Sequence, residues 1–392
     1  MVGDKASEGF HALEILVIPP NNILRHPITN RVYHVFKYIA RRHNVSILDY
    51  PCHPHAKLSK PRPIEASIVT YKPIACPRDL GLYYLMNSPI YRILSKKIVR
   101  EYDLVLIANI QPGLIFSREA FRAGKTCILD FLDYYPEAVS AYYSGLLSSI
   151  SRSYTWSVVK SIIRYCSRVI TVSYSFKHIL SRHFNVDVIV VPNGVNEIFK
   201  PMDKYVSRQH AGMEGDPLIL YYGSIDYWVD LEELIKGFRK ILREYPRSRL
   251  YIVGYAHNRS LLYRLLSLAR KHDLYRHVFF REPVEYSMLP YIVNSADIVI
   301  APYKYMVHNY TFPLKIVESL SCGVPVITPR IPEYSLWFGK DPVYYNDITK
   351  DLPNAIEEAI GRRKHVLGRS CYYRERFSWK RISNLYLDAL TL

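Results

Sequence analysis

Residues 298–329 read IVIAPYKYMVHNYTFPLKIVESLSCGVPVITP. The β-branched run at the head ends as a strand at Ala301-Pro302, and a polar loop follows. A helix then starts near Thr311–Pro313, because proline fits a first helical turn and cannot continue one from before it. It stops at Cys322-Gly323, where glycine can take the left-handed conformation, and VPVITP forms the next strand. A helix start gathers unpaired backbone N–H groups and the positive end of the macrodipole, so it suits an anion. Lys315 lies in that first turn, with Glu318 at i+3 on the same face. A lysine there opposes the helix dipole, which makes sense with a diphosphate between them. Glu318 would then accept hydrogen bonds from a neighbouring pair of hydroxyls, as on a ribose. Read alone, the two residues also fit a surface lysine and its salt-bridge partner.

Outward from this stretch the same alternation fills the chain. EILVIP, VSILDYP, DLVLIAN, TCILDFLD, RVITVS and VDVIVVPNG read as strands in the first half, with ASIVTYKP a further short run. LILYYGS, RLYIVG, HVFFREP, DIVIAPY and GVPVITP repeat the scheme in the second, with amphipathic helices such as LEELIKGFRKILREY between them. Apolar strands alternating with helices predict an α/β fold of parallel sheets covered on both faces. The 392 residues suit two domains of roughly 150–200 residues each. The two strand sets meet at residues 196–216, a polar stretch holding Gly and Pro. The expected division is a polar tail over 1–11, a first Rossmann-like domain over 12–200, a second over 201–376 and a closing helix over 377–392.

Composition narrows the function. Hydrophobic residues make up 49% and charged residues 22%, which is a globular balance. The 35 tyrosines, with many Arg and Ile, fit a thermophile. Cysteines at 52, 76, 127, 166, 322 and 371 show no Cys-x-x-Cys pair and no zinc spacing, so neither a metal site nor a disulfide framework is expected, and a reducing interior is. The opening residues lack the pattern of a signal peptide, and no run of ~18 apolar residues spans a bilayer. The net charge of +17 concentrates in residues 1–200, where 25 Lys/Arg face 14 Asp/Glu. Such a field attracts phosphorylated substrates or an anionic membrane face. No RNA-binding motif accompanies it, so nucleic acid is not an expected partner. Gly-x-Gly-x-x-Gly is absent after either first strand, and so is a P-loop, which argues against dinucleotide redox and ATPase chemistry.

VITVSYSFKHIL followed by VIVVPNGVNEIFKP resembles the end of the first domain in the retaining glycosyltransferases of family 4, the group 1 family of GT-B fold. Ser173, Pro192, Asn193, Gly194, Val195, Phe199 and Pro201 fall where that pattern has them. LILYYGSI, SADIVIAPY, PLKIVESLSCGVPVI and the closing FSWKRISNLYLDAL resemble its donor-domain strand and glycine turn, its donor-binding strand and helix, and its last helix. The resemblance implies two Rossmann-like domains facing across a cleft, with the C-terminal helix crossing back to the first. It implies transfer of a sugar, with retention, from a nucleotide sugar to a hydroxyl of a glycan, lipid-linked or other acceptor.

Carried over residue by residue, Glu318 matches the second glutamate of the family's pair, which contacts the donor ribose. Gly223, with Ser224 beside it, would face the donor phosphates, and Arg281 to Val284 would border the nucleotide base. Tyr310, Thr311, Phe312, Pro313 and Leu314 lead into the donor helix. Three departures stand out. Tyr310 replaces the first glutamate of the pair. The Arg and Lys that commonly follow the donor-domain glycine are missing from GSIDYWVDLEEL, which leaves the phosphate charge to Lys315. A glycine-rich acceptor loop is absent, and Arg25, His26 and Thr29 line the loop instead.

Asp130 and Asp133 in TCILDFLDYYPEA lie at a strand's carboxyl end, where open α/β sheets hold ligands; as catalytic candidates, one could orient or deprotonate an acceptor hydroxyl, and the alternative is a turn or capping aspartate. His308, in the donor-side loop, is a further candidate catalytic residue. No Asp-x-Asp follows a strand, so metal-independent transfer is expected, with Lys315 and the helix terminus meeting the charge of the departing diphosphate. Residues 83–102 and 143–165 mix bulky apolar and basic side chains in a way that fits a peripheral cytoplasmic membrane face or ordinary sheet-packing helices. A sugar-nucleotide epimerase of the same fold, or a relative that binds donor without catalysis, fits the same residues.

Overall fold

The computed structural model describes residues 11–58, 60–140, 143–256, 258–305 and 309–391. They form two units. The first holds residues up to 171, then 179–191 and 383 onward; the second holds 172–178 and 192–382.

The first unit is built on a seven-stranded parallel sheet. In chain order its strands are β1 (Glu14–Ile18), β2 (Asn44–Leu48), β3 (Ser67–Val69), β4 (Leu104–Ile107), β5 (Thr126–Phe131), β6 (Arg168–Thr171) and β7 (Asp187–Val190). Their order across the sheet is β3-β2-β1-β4-β5-β6-β7. Ile15, Leu16, Val17 and Ile18 of β1 are wholly buried, as befits a central strand covered on both faces. The order reverses between β1 and β4, so the loops leaving their carboxyl ends open the crevice where such sheets take ligands.

Contrary to the expectation of free cysteines in a reducing interior, Cys52 and Cys76 form a disulfide, with Cα atoms 5.7 Å apart. Both sit in loops, 24 residues apart in sequence, and only the path of the chain through β3 brings them together. Local cysteine spacing carries no trace of such a pairing.

Asp130, expected at the ligand end of β5, has no exposed surface. Its Oδ2 lies 3.3 Å from Arg31 Nε and accepts a hydrogen bond from the Tyr386 hydroxyl at 2.7 Å. The Arg31 guanidinium also stands 5.0 Å from the Tyr386 ring centroid and donates to the Val191 carbonyl. A buried carboxylate is tolerable only with such partners. Asp130 thereby ties the last helix, Trp379–Thr391, to the first unit. Tyr386→Phe removes a donor to this carboxylate and is expected to cost about 1–2 kcal/mol in urea unfolding; an unchanged midpoint would show that Arg31 alone satisfies Asp130.

The second unit carries a six-stranded parallel sheet of β8 (Leu218–Tyr222), β9 (Arg249–Val253), β10 (Val278–Arg281), β11 (Ile298–Ile300), β12 (Val326–Pro329) and β13 (Val343–Tyr345), ordered β10-β9-β8-β11-β12-β13. The three-residue edge strand β13 is absent from the sequence reading; it is too short to show a period of its own. The Pro192-Asn193-Gly194-Val195 turn is pinned within this unit. Val195 N–H donates to the Phe377 carbonyl at 2.7 Å, and a Cβ at Gly194 would stand 2.5 Å from the Trp379 ring, so only glycine lets the indole lie there. Residues 172–178 join the unit through Glu333. Its buried carboxylate accepts from the amides of Tyr174 and Ser175, from Ser175 Oγ (each 2.9 Å) and from Trp337 Nε1 at 2.7 Å. A carboxylate on the first N–H groups of helix Tyr174–His183 satisfies orphan donors and complements the dipole.

Candidate active site

Helix Leu314–Ser321 lies between β11 and β12 in the chain. It starts after Pro313, whose backbone is extended, and no side chain caps it. Phe312 sets the entry by packing among Trp337, Phe338 and Phe377, with ring centroids 5.3–5.7 Å away. Lys315 and Glu318 then fall on the helix face turned toward the end of β8.

There the chain passes through Gly223 at φ +121°, a conformation that side chains rarely take. A Cβ at Gly223 would stand 2.4 Å from Lys315 Cε and 2.6 Å from its Nζ. The lysine side chain thus occupies the space a side chain at 223 would need. Its ammonium lies 5.5 Å from the Tyr221 ring centroid and 5.3 Å from that of Tyr303, within cation–π range. Tyr222 donates its hydroxyl to Glu318 Oε2 at 3.0 Å and lies 3.3 Å from Ser319 Oγ. A second glycine completes the crossing: a Cβ at Gly254 would fall 1.8 Å from the Gly223 carbonyl oxygen.

The electrostatics follow from burial. Desolvation pulls the Lys315 ammonium down to about 8, against the opposing pull of Glu318. It pushes Glu318 up to about 7, restrained by the Tyr222 hydrogen bond and by Lys315. Tyr286 and Tyr303, both driven up by burial, also feel the Glu318 charge and so border the same space. A cation and a carboxylate held at the limits of their charged forms, beside a backbone stripped of Cβ, can take a ligand carrying an anion and, next to it, hydroxyl donors.

The other expected residues distribute as follows. Ser224 offers its carbonyl to the Tyr221 hydroxyl, and Val284 is exposed. Tyr310 lies with its ring 6.1 Å from Phe176, Pro313 is buried, Leu314 is exposed, and Thr311 is half-buried. Arg281 divides its roles. Its carbonyl accepts from Gly254 N–H at 3.0 Å, near the site. Its guanidinium is bonded to the Ala211 and Gly212 carbonyls at 2.7 and 2.6 Å and lies over the Tyr251 ring. His308 lies outside the described residues. Asp133, exposed at the end of β5, accepts from Tyr134 N–H at 2.8 Å and belongs to the first unit with Arg25, His26 and Thr29. Thr29 Oγ1 is 2.8 Å from His34 Nε2. Tyr221, Tyr222, Tyr303, Tyr286 and Gly254 were not among the expected site residues. The available signal was the Tyr-Tyr-Gly run ending β8, where two bulky hydroxyl-bearing residues precede a turn.

Residues 28–198 match the family model described as Glycosyltransferase Family 4, and residues 204–335 the model described as Glycosyl transferases group 1. A D-inositol 3-phosphate glycosyltransferase of Geodermatophilus obscurus is 25% identical over 233 residues, covering 53% of this chain and 49% of that protein. The chain spans about half the length of the curated relatives it matches. Among solved structures, the sucrose-phosphate synthase of Thermosynechococcus elongatus superposes with a TM-score of 0.75 over 95% of this chain and 97% of its own, at 17% identity. Anabaena HepE in complex with UDP-glucose does so with 0.66 over 97% and 99%, at 15% identity.

Proposed function

The chain belongs to the group 1 glycosyltransferases, and from that premise we propose that it moves a sugar from a nucleotide-sugar donor to an acceptor hydroxyl. The donor diphosphate would lie on Lys315 and Gly223, and its ribose on Glu318. The observation that carries this reading is the Lys315 side chain laid across the bare Cα of Gly223, one helical turn from Glu318. The HepE complex with UDP-glucose supports a nucleotide sugar as the ligand class of such a fold.

Bond cleavage at the anomeric carbon puts negative charge on the leaving diphosphate. Lys315, already desolvated, meets that charge where it grows, without reorganising solvent. This accounts for charge neutralisation by the protein itself, so the transfer we propose is metal-independent. The resemblance to retaining enzymes supports retention. Tyr310, in place of a carboxylate, favours as the second reading a donor-binding relative without transfer. For the acceptor, a glycan or lipid-linked hydroxyl is in keeping with the exposed Leu82, Leu85, Met86 and Ile93 beside Arg92, Lys96 and Lys97, a composition suited to an anionic membrane face. Among the described residues, no helix is long and apolar enough to cross a membrane.

A thermal-shift screen against UDP, GDP, ADP and their sugars tests the donor site. One nucleotide at about 100 times its Kd should stabilise the chain by about 2.7 kcal/mol, which is several degrees. The shift should survive EDTA and vanish in Glu318→Ala. No shift with any nucleotide would overturn the reading, and a shift abolished by EDTA would overturn its metal-independent part.

A further inference from the structure

The loops that leave β1 and β2 are stitched into one platform. Arg25 O accepts from the amides of Lys57 and Leu58 at 3.1 and 3.0 Å, and Leu24 O accepts from Arg62 N–H at 2.9 Å. The Arg62 guanidinium returns the tie, donating to the carbonyls of His26, Pro27 (2.8 Å) and Ile23 (3.4 Å). His53, buried beneath, accepts from His55 N–H at Nδ1 (3.1 Å) and reaches the Tyr84 hydroxyl through Nε2 at 3.1 Å, which sets the loop's height. The platform therefore presents Arg25, His26, His55, Lys57 and Arg62 side by side, with the His26 and His55 rings 6.0 Å apart. His55 and Lys57 are exposed, and Arg25, His26 and Arg62 are half-buried.

The charge here is one-sided. The charged neighbours acting on His26 are His55, Arg62 and Lys57, all basic, and together with burial they lower its affinity for a proton. His53 is depressed further, by burial and then by His55 and His26. The nearby carboxylate, Asp49, is held by Asn22 Nδ2 at 2.8 Å and raised by burial, with Arg25 acting against that rise. Helix Arg31–Ile39 begins just beyond the loop with no acidic residue in its first turn. Arg25, Lys57 and Arg62 set side by side repel one another, a cost that a bound anion would relieve. The loop stands at the carboxyl end of β1, beside the point where the strand order reverses.

We propose that this platform binds a phosphate group carried by the acceptor, with Arg25 and Lys57 as its charge partners and His26 and His55 as additional donors. The proposal rests on the reading of this unit as the acceptor side of a glycosyltransferase.

The test uses the full chain labelled with [13Cε1]histidine, titrated with inorganic phosphate, then with glucose 6-phosphate, glucose, and vesicles of phosphatidic acid or of phosphatidylcholine. His26 and His55 signals are assigned through His26→Gln and His55→Gln. Phosphate and glucose 6-phosphate should shift both signals saturably, glucose should not, and Lys57→Ala or Arg25→Ala should weaken the response about tenfold each. The exposed Lys57 makes a variant that folds, and its nucleotide thermal shift should be unchanged. A response to phosphatidic acid but not to glucose 6-phosphate would assign the phosphate to a lipid acceptor. No saturable shift with any phosphate source, or a shift indifferent to Lys57→Ala and Arg25→Ala, overturns the proposal. Loss of the nucleotide shift in the wild-type protein instead overturns the donor reading and leaves this result standing on its own.

Discussion

Gly254→Ala is expected to lower the unfolding midpoint of the C-terminal unit by roughly 6–12 °C, from a destabilisation of about 3 kcal/mol. The added Cβ would stand 1.8 Å from the Gly223 carbonyl oxygen and 2.8 Å from its carbonyl carbon, both backbone atoms with nowhere to rotate. Relief requires the ends of β8 and β9 to part, and they are joined there by Gly223 N–H to Val253 O at 2.9 Å and Ile225 N–H to Tyr255 O at 2.9 Å. Gly361→Ala is the control. It lies inside the long helix Ile348–Arg376 with nothing within 4 Å of its Cβ, and should be neutral or stabilising by up to about 1 kcal/mol. Gly223→Ala separates the two roles of this crossing. Its Cβ meets only the mobile end of Lys315, so ligand binding should fall before stability does, apart from the strain of φ +121°. Equal midpoints for Gly254→Ala and Gly361→Ala in a calorimetric scan would refute the close approach.

Lys315→Met should weaken binding of the donor nucleotide about 10- to 100-fold, the range for losing one charge-assisted contact of roughly 1.5–3 kcal/mol. The pH profile tests the same residue without mutation. Lys315, at about 8, loses its charge above that pH, and affinity should then fall by about tenfold per unit. Glu318, at about 7, becomes protonated below that pH and can no longer accept from two hydroxyls, so affinity should fall there too. The optimum therefore lies between about 7 and 8. Lys315→Met should abolish the alkaline limb and Glu318→Gln the acid one. A bound diphosphate restores the lysine proton, so binding above pH 8 should take up protons, read by calorimetry in two buffers. In the empty site the two groups act oppositely on the fold. The folded chain holds the Glu318 proton between 4.5 and 7 where the unfolded chain has lost it, so this contribution to stability falls as pH rises through that window. It lacks the Lys315 proton between 8 and 10.5 where the unfolded chain keeps it, so stability recovers there. A flat affinity profile from pH 6 to 9 would remove both residues from the donor site.

The α/β architecture was legible because buried parallel strands must be apolar runs, and Ile15–Ile18 or Ile298–Ile300 can be little else. The pairing of Lys315 with Glu318 was legible because three residues on a helix are neighbours wherever the helix lies. Contacts fixed by tertiary path were not. Nothing in the spacing of Lys315 and Gly223 announces that one fills the other's missing side chain, although a glycine ending a strand hinted at a close approach. Tyr386 reaches Asp130 across 256 positions, which turns an expected ligand-side aspartate into a buried tie. Arg281 ends β10, yet its guanidinium is taken up by the Ala211 and Gly212 carbonyls, a pairing set by tertiary path. The Cys52–Cys76 bridge joins two loops whose sequences share no pattern.

The Glu333 clamp bears on how this chain can be dissected. The C-terminal unit is not one continuous stretch: it claims residues 172–178 from within the first half, and the first unit claims 383 onward in return. A fragment cut to that unit's longer stretch, residues 192–382, would lose three of the four donors to Glu333, those from Tyr174 and Ser175. The severed piece would thus lack most of the donors that hold this carboxylate in place. The two halves of this protein are reciprocal owners of each other's sequence, and they must be separated by permuting the chain rather than by shortening it.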